Sequence, residues 1–127
     1  MNKNLERLIG WQLVSIDDEN IVLTKGGKTI TLTLSGDCGD CCGYYEISTK
    51  LLIDVNDTRR NPIITKVQLI EEEGEYDGSV VKLVLFGEEN RIAEIDTEAG
   101  SGSGWCYGAC VTLTCEALNL NETLAQW

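Results

Sequence analysis

Histidine is absent from the 127 residues. With it go the usual general base, the usual proton shuttle and the commonest metal-binding side chain. Proline occurs once, at Pro62, which leaves no proline-rich linker and few obstacles to continuous strands. Basic residues are scarce, ten Lys and Arg against twenty-one Asp and Glu, for a net charge of −11. No run of 18 apolar residues occurs, which excludes a membrane-spanning helix. Residues 1–9 carry Lys3, Glu6 and Arg7 among their apolar neighbours and do not read as a signal peptide, so a cytoplasmic location is expected. What is there is 43% hydrophobic with mean hydropathy near zero, at −0.09, enough for one compact domain over 1–127 with a real core.

The charge is unevenly spread. Residues 1–70 hold nine acids and eight bases, whereas residues 71–127 hold twelve acids and only Lys82 and Arg91. A phosphate backbone is held by displacing its counterions with Lys and Arg, so nucleic acid is not an expected partner. An anionic membrane surface repels the same half. The acidic half reads first as a solvated face. Its sharper reading is a surface that docks a basic partner, as a nucleic-acid decoy would.

Strand patterns dominate. Thr29 to Leu34 alternates strictly, with Ile30, Leu32 and Leu34 on one face and three threonines on the other, the signature of a half-buried antiparallel strand. Before it, residues 21–24 read as a strand and Lys25-Gly26-Gly27-Lys28 as the hairpin loop. Further strands are expected over 11–16, 63–71, 80–86, 91–97 and 109–116. Ser48 as N-cap with Leu51, Leu52 and Val55 on one side predicts a short helix over 48–55. A terminal helix over 117–127 is weakened by Asn119 and Asn121. The expected class is all-β or β-dominated α+β, with six to seven mostly antiparallel strands and one short helix.

The pattern repeats. Leu13, Ser15 and Ile16 stand 54 residues before Val67, Leu69 and Ile70. The hairpin Val22–Leu34 matches Val84–Asp96 at an offset of 62, with Leu23 over Leu85 and Ile30 over Ile92. An internal duplication would divide the chain into halves 8–47 and 62–116. Each half ends in a glycine-rich, cysteine-bearing segment: residues 35–45 in the first, residues 100–108 in the second. Pseudo-symmetry would set these two segments side by side.

Six cysteines are the constellation with chemical content. Cys38-x-x-Cys41 with Cys106-x-x-x-Cys110 has the spacing of a structural zinc site if the two loops meet. Against it stand free thiols, the natural state in a reducing compartment. Cys115 shares the apolar parity of Val111 and Leu113, so it is expected in the core. Catalysis has little to stand on, because no base lies beside Cys41 or Cys42 and the run Glu71-Glu72-Glu73-Gly74-Glu75 reads as solvated charge. Lys25-Gly26-Gly27-Lys28 lacks the length and ending of a phosphate-binding loop. Asp40, Tyr44, Tyr45, Trp105 and Tyr107 gather in the two glycine-rich segments and are the candidate ligand-binding residues. Their alternative role is a lid over the sheet end.

Gly39-Asp40-Cys41-Cys42, preceded by Leu8-Ile9-Gly10 and followed by Gly104-Trp105-Cys106-Tyr107-Gly108, resembles a family of small uncharacterised proteins of tailed bacteriophages and prophages. That family pairs a Gly-Asp-Cys-Cys segment with a later Asn-Gly-Tyr-Tyr-Gly-Gly-like turn. Here Gly36-Asp37-Cys38 is an extra element, and Cys106 stands where an aromatic is the rule. The resemblance spans the chain to about residue 116 and implies an accessory protein of a phage or prophage, with no catalytic residues. Together the readings point to a non-enzymatic module that captures a small molecule or host protein through its Gly/Cys/aromatic loops. An assembly protein forming a homo-oligomer and the acidic decoy stay open beside it.

Overall fold

Alternation of apolar and polar side chains becomes a two-sheet antiparallel β fold in the computed structural model, which describes residues 3–38, 43–53, 62–73, 79–88, 91–101 and 109–126. Among these, nine strands run in chain order: β1 (Gln12–Ile16), β2 (Asn20–Lys25), β3 (Lys28–Cys38), β4 (Gly43–Leu51), β5 (Lys66–Glu73), β6 (Ser79–Phe86), β7 (Arg91–Ser101), β8 (Ala109–Cys115) and β9 (Leu120–Gln126). Two short 3-10 segments, Lys3–Leu8 and Glu116–Leu118, are the helical elements described. No helix among the described residues is long and apolar enough to cross a membrane.

The first hairpin forms as its residues dictate. Lys25 pairs with Lys28 across a two-residue turn, and Gly26 and Gly27 take φ of 58° and 81°. A turn with both central residues at positive φ matches the right-handed twist of the strands, and glycine adopts it without a Cβ clash. Along β3 the alternation is kept: Ile30, Leu32 and Leu34 are buried while Thr29, Thr31 and Thr33 are exposed. Cys115 lies in the core with Val111 and Leu113, as its parity requires.

One sheet has the order β1-β2-β3-β8-β9 and the other β4-β7-β6-β5. Each half of the chain therefore makes a three-stranded meander and then sends its fourth strand to the other sheet. β4 leaves β1-β2-β3 to pair with β7, and β8 leaves β5-β6-β7 to pair with β3. The two halves share one strand plan. Leu13 pairs with Leu23 in the first meander and Val67 with Leu85 in the second, the offsets of 54 and 62 read from the sequence, and all four are at most 1% exposed. The third strand departs by one. Leu23 faces Ile30, but Leu85 faces Ala93, because the ladder between β6 and β7 is irregular at Leu85/Phe86 and passes over Ile92.

Both sheets line one core, in which Leu32 and Leu113 of the first lie with Leu83 and Ile95 of the second, all fully buried. Each such side chain contributes roughly 1.5–3 kcal/mol on transfer from water. The N-terminal segment adds Leu5, Leu8 and Trp11 to it. Backbone bonds then fasten this segment to the approach to β5: Gly10 N–H donates to Ile64 O at 2.8 Å, and Ile64 N–H to Trp11 O at 2.9 Å.

Two expected helices are strands. Residues 48–51 of the expected helix 48–55 belong to β4, whose nine rungs with β7 run from Gly43↔Ser101 to Leu51↔Ala93. Tyr45, Ile47, Thr49 and Leu51 form a period-two set beginning before Ser48, and pairing to β7 outweighs the local N-cap signal. Residues 54–61 lie outside the described residues. The expected terminal helix 117–127 divides at Asn119, which takes the left-handed conformation at φ 52° and closes the short 3-10 segment before β9 begins. Glu122, buried opposite Leu113, interrupts the apolar alternation that would have announced β9. Among the described residues the strand count is thus nine rather than six or seven.

Candidate functional site

The register brings the flanks of the two Gly/Cys segments to one end of the molecule. Cys38, the last residue of β3, pairs with Ala109, the first of β8. Gly43, the first of β4, pairs with Ser101, the last of β7. Only residues 39–42 join Cys38 to Gly43, so these two rungs lie within ~18 Å of each other by the reach of the chain. All four strands that cross between sheets meet here.

Tyr45 is the side chain that this arrangement displays. Its ring lies so close over Gly36 that a Cβ at residue 36 would sit 2.1 Å from Cδ2 of the ring. Glycine at 36 therefore serves close packing of an aromatic on the strand backbone, while Tyr45 keeps 44% of its surface exposed. One rung away, Ser35 Oγ and Thr112 Oγ1 share a hydrogen bond of 2.9 Å. Cys110 is a half-buried free thiol paired with Asp37, whereas Cys38 occupies the next rung, of opposite parity. Tyr44 pairs with Gly100 in the β4–β7 ladder. Asp40, Cys41, Trp105, Cys106 and Tyr107 lie outside the described residues. Among the described residues no group of three or more Cys, Asp or Glu is placed to hold a metal ion.

β4 is an edge strand, and its free side is partly closed. Asp18, in the turn between β1 and β2, accepts hydrogen bonds from both Thr49 N–H and Thr49 Oγ1–H at 2.9 Å. Spending an outward N–H on a charged acceptor blunts an edge that would otherwise template another strand.

The outer faces of the two sheets differ in charge. On β7 and β6, Lys82 reaches Glu94 and Asp96 at 3.7 Å each, and Arg91 donates to Glu94 at 2.8 Å. The Arg91 hydrogen bond, with the positive charges of Lys82, Arg91 and Lys50, holds the Glu94 carboxyl below its ordinary range against an opposing push from burial. Phe86 carries Lys66 and Arg91 over its ring, at 5.2 and 5.8 Å. On the other sheet, the rung Asn20–Thr33–Thr114–Asn121 and the rung Ser35–Thr112–Thr123 bear hydroxyls and amides alone. Sequence reading treated the threonines as ordinary exposed positions. The missed signal was the lack of charge at alternate positions of four strands together, over 20–24 of β2, 29–35 of β3, 112–114 of β8 and 121–123 of β9.

The fold defines a two-sheet antiparallel β protein whose halves exchange their fourth strands. Compared with protein-family models, curated proteins and solved structures, the chain matches none.

Proposed function

We propose that the protein is a non-enzymatic binding module whose contact surface is the crossover end, where Tyr45 stands over Gly36. The carrying observation is that the strand ends Cys38, Gly43, Ser101 and Ala109, from which both sheet-crossing connections leave and return, lie at the end of the molecule that displays one exposed aromatic, Tyr45. A half-exposed tyrosine on a rigid ladder supplies contact area at low entropy cost, which suits recognition of a small molecule or protein. The Gly-Asp-Cys-Cys resemblance adds the finer reading of a phage or prophage accessory protein acting inside a host cell.

Fragment screening by amide NMR tests the placement. Shifts concentrated on Ser35, Gly36, Tyr45, Gly100 and Cys110, and lost in Tyr45→Ser with the remaining spectrum intact, support the crossover end as the binding surface. Fragments that bind elsewhere and ignore Tyr45→Ser overturn it.

A further inference from the structure

At the opposite end of the β3–β8 ladder the sheet splits. The two strands pair from Cys38↔Ala109 to Thr33↔Thr114, and there β8 turns away at Cys115 into the 3-10 segment Glu116–Leu118. β3 continues alone beside β2 to Lys28. The parting leaves a cleft of about 500 Å³, within the roughly 300–1,000 Å³ of small-molecule sites.

We propose that this cleft binds a neutral carbohydrate. Backbone polarity comes first. Leu34 N–H donates to Glu19 O on the β2 side, so by the alternation of an antiparallel ladder the even residues of β3 face β2. The N–H and C=O groups of Thr29 and Thr31 consequently face the cleft, where none of the described strands lies opposite. The hydroxyls of Thr29, Thr31, Thr33 and Thr114 line the cleft with them, and Glu116 adds one exposed carboxylate. Ile30 and Cys115, at 5% and 4% exposure, are apolar members of the lining. Among the described residues no basic side chain lines it.

Such a lining selects by elimination. Among the described lining residues a phosphate or other anion finds Glu116 and no cation to pair with. A purely apolar ligand would strip water from two free amide groups and give nothing back. An extended peptide could add only the rungs at Thr29 and Thr31 before the Glu116–Leu118 segment blocks it, too few for strand addition. A sugar ring offers donors and acceptors in equal supply and a diol that a carboxylate can accept from twice. The uncharged rungs of β2, β3, β8 and β9 around the cleft extend the same chemistry outward.

The site is independent of Tyr45, which lies at the other end of the ladder, so either reading can fail alone. The test is an amide NMR titration of the full chain with glucose, galactose, mannose, N-acetylglucosamine, maltose and cellobiose. Glucuronate and an uncharged β-forming heptapeptide serve as controls. The expected result is saturable shifts at residues 29–33 and 114–117 with at least one neutral sugar and none with glucuronate. Glu116→Gln should weaken that sugar about tenfold, the loss of a charge-assisted hydrogen bond. Thr31→Val, which keeps the shape of the wall, should weaken it as well. No saturable shift at these residues with any sugar overturns the proposal, as does binding of the heptapeptide alone. Sugar binding that Glu116→Gln and Thr31→Val both leave unchanged overturns it too. The wild-type titration decides the first two outcomes whether or not a variant folds.

Discussion

The two outer faces of this molecule are built from the same strand pattern and carry opposite chemistry. Around β6 and β7, Lys82, Arg91, Glu94 and Asp96 pair with one another across the ladder. Around β3 and β8, Thr33 faces Thr114 and Ser35 faces Thr112, and these rungs carry hydroxyls where the other face carries charges. Both faces satisfy β-propensity and solvation, so the fold does not require the difference. Depletion of charge over several adjacent strands is what the central part of a contact surface shows, whereas mixed charges are what a plain solvated surface shows. The contrast sets the ion-paired face apart from the face on which the threonine cleft opens.

The comparison supposes that both faces rest on one core. Leu113→Ala under the neutral face and Leu83→Ala under the charged face should each cost about 2–5 kcal/mol, as cavity-forming substitutions do. Both residues are fully buried in the same cluster. Denaturant unfolding should show a single transition for each variant. A variant that melts one sheet and spares the other breaks the premise.

A smaller effect belongs to the crossover end. Gly36→Ala drives a methyl group into the Tyr45 ring and should cost about 1–3 kcal/mol, as overpacking does. The double variant with Tyr45→Ala should recover most of that loss, measured as a coupling in a double-mutant cycle. An unchanged melting temperature in Gly36→Ala would show that the tyrosine swings clear and does not depend on glycine.

Next comes the response to acid, which should separate the faces. The Glu94 carboxyl titrates lower in the folded protein than its ordinary 4.5. Its contribution is thus present above pH 4.5 and lost as pH falls through the depressed value. Glu94→Gln should flatten the acid limb of a stability–pH curve measured by chemical denaturation, while Thr33→Val on the neutral face should leave its shape unchanged. An acid limb that Glu94→Gln does not alter would show that Arg91 and Lys82 hold the carboxylate too loosely to matter.

The smallest effect is expected at the cleft. Thr31→Val should change stability by about 0.5 kcal/mol or less, since the position is exposed and valine suits a strand. A much larger loss in thermal melts would make Thr31 a structural residue and weaken the division drawn between the faces.

The legible part of this fold was the part written in short-range periodicity. Thr29 to Leu34, the Gly26-Gly27 turn and the parity of Cys115 all followed from alternation within a few residues, because a strand with one buried face must alternate and a two-residue hairpin must reach positive φ. The 54- and 62-residue offsets were legible too, as buried partners Leu13↔Leu23 and Val67↔Leu85. β4 and β9 were not. Ser48 offered a local cap, and Glu122 broke an alternation; only pairing with β7 and β8 made these segments strands. Of the candidate site, Tyr45 was read as part of a glycine-rich loop; it lies in β4, and its dependence on Gly36 was invisible because that contact joins two strands of different sheets.

By itself, then, the sequence determined a β-rich, acidic chain with two similar meanders and two Gly/Cys segments, since each of these is a matter of composition or local period. The exchange of β4 and β8 between sheets was decided by tertiary structure alone, because which edge a strand pairs with depends on contacts 50 to 80 residues away in the chain, such as Tyr45↔Ala99 and Gly36↔Val111. The same exchange sets both crossovers at one end and opens the threonine cleft at the other. No local pattern can announce where two strands part, since the parting belongs to neither strand until the other is beside it.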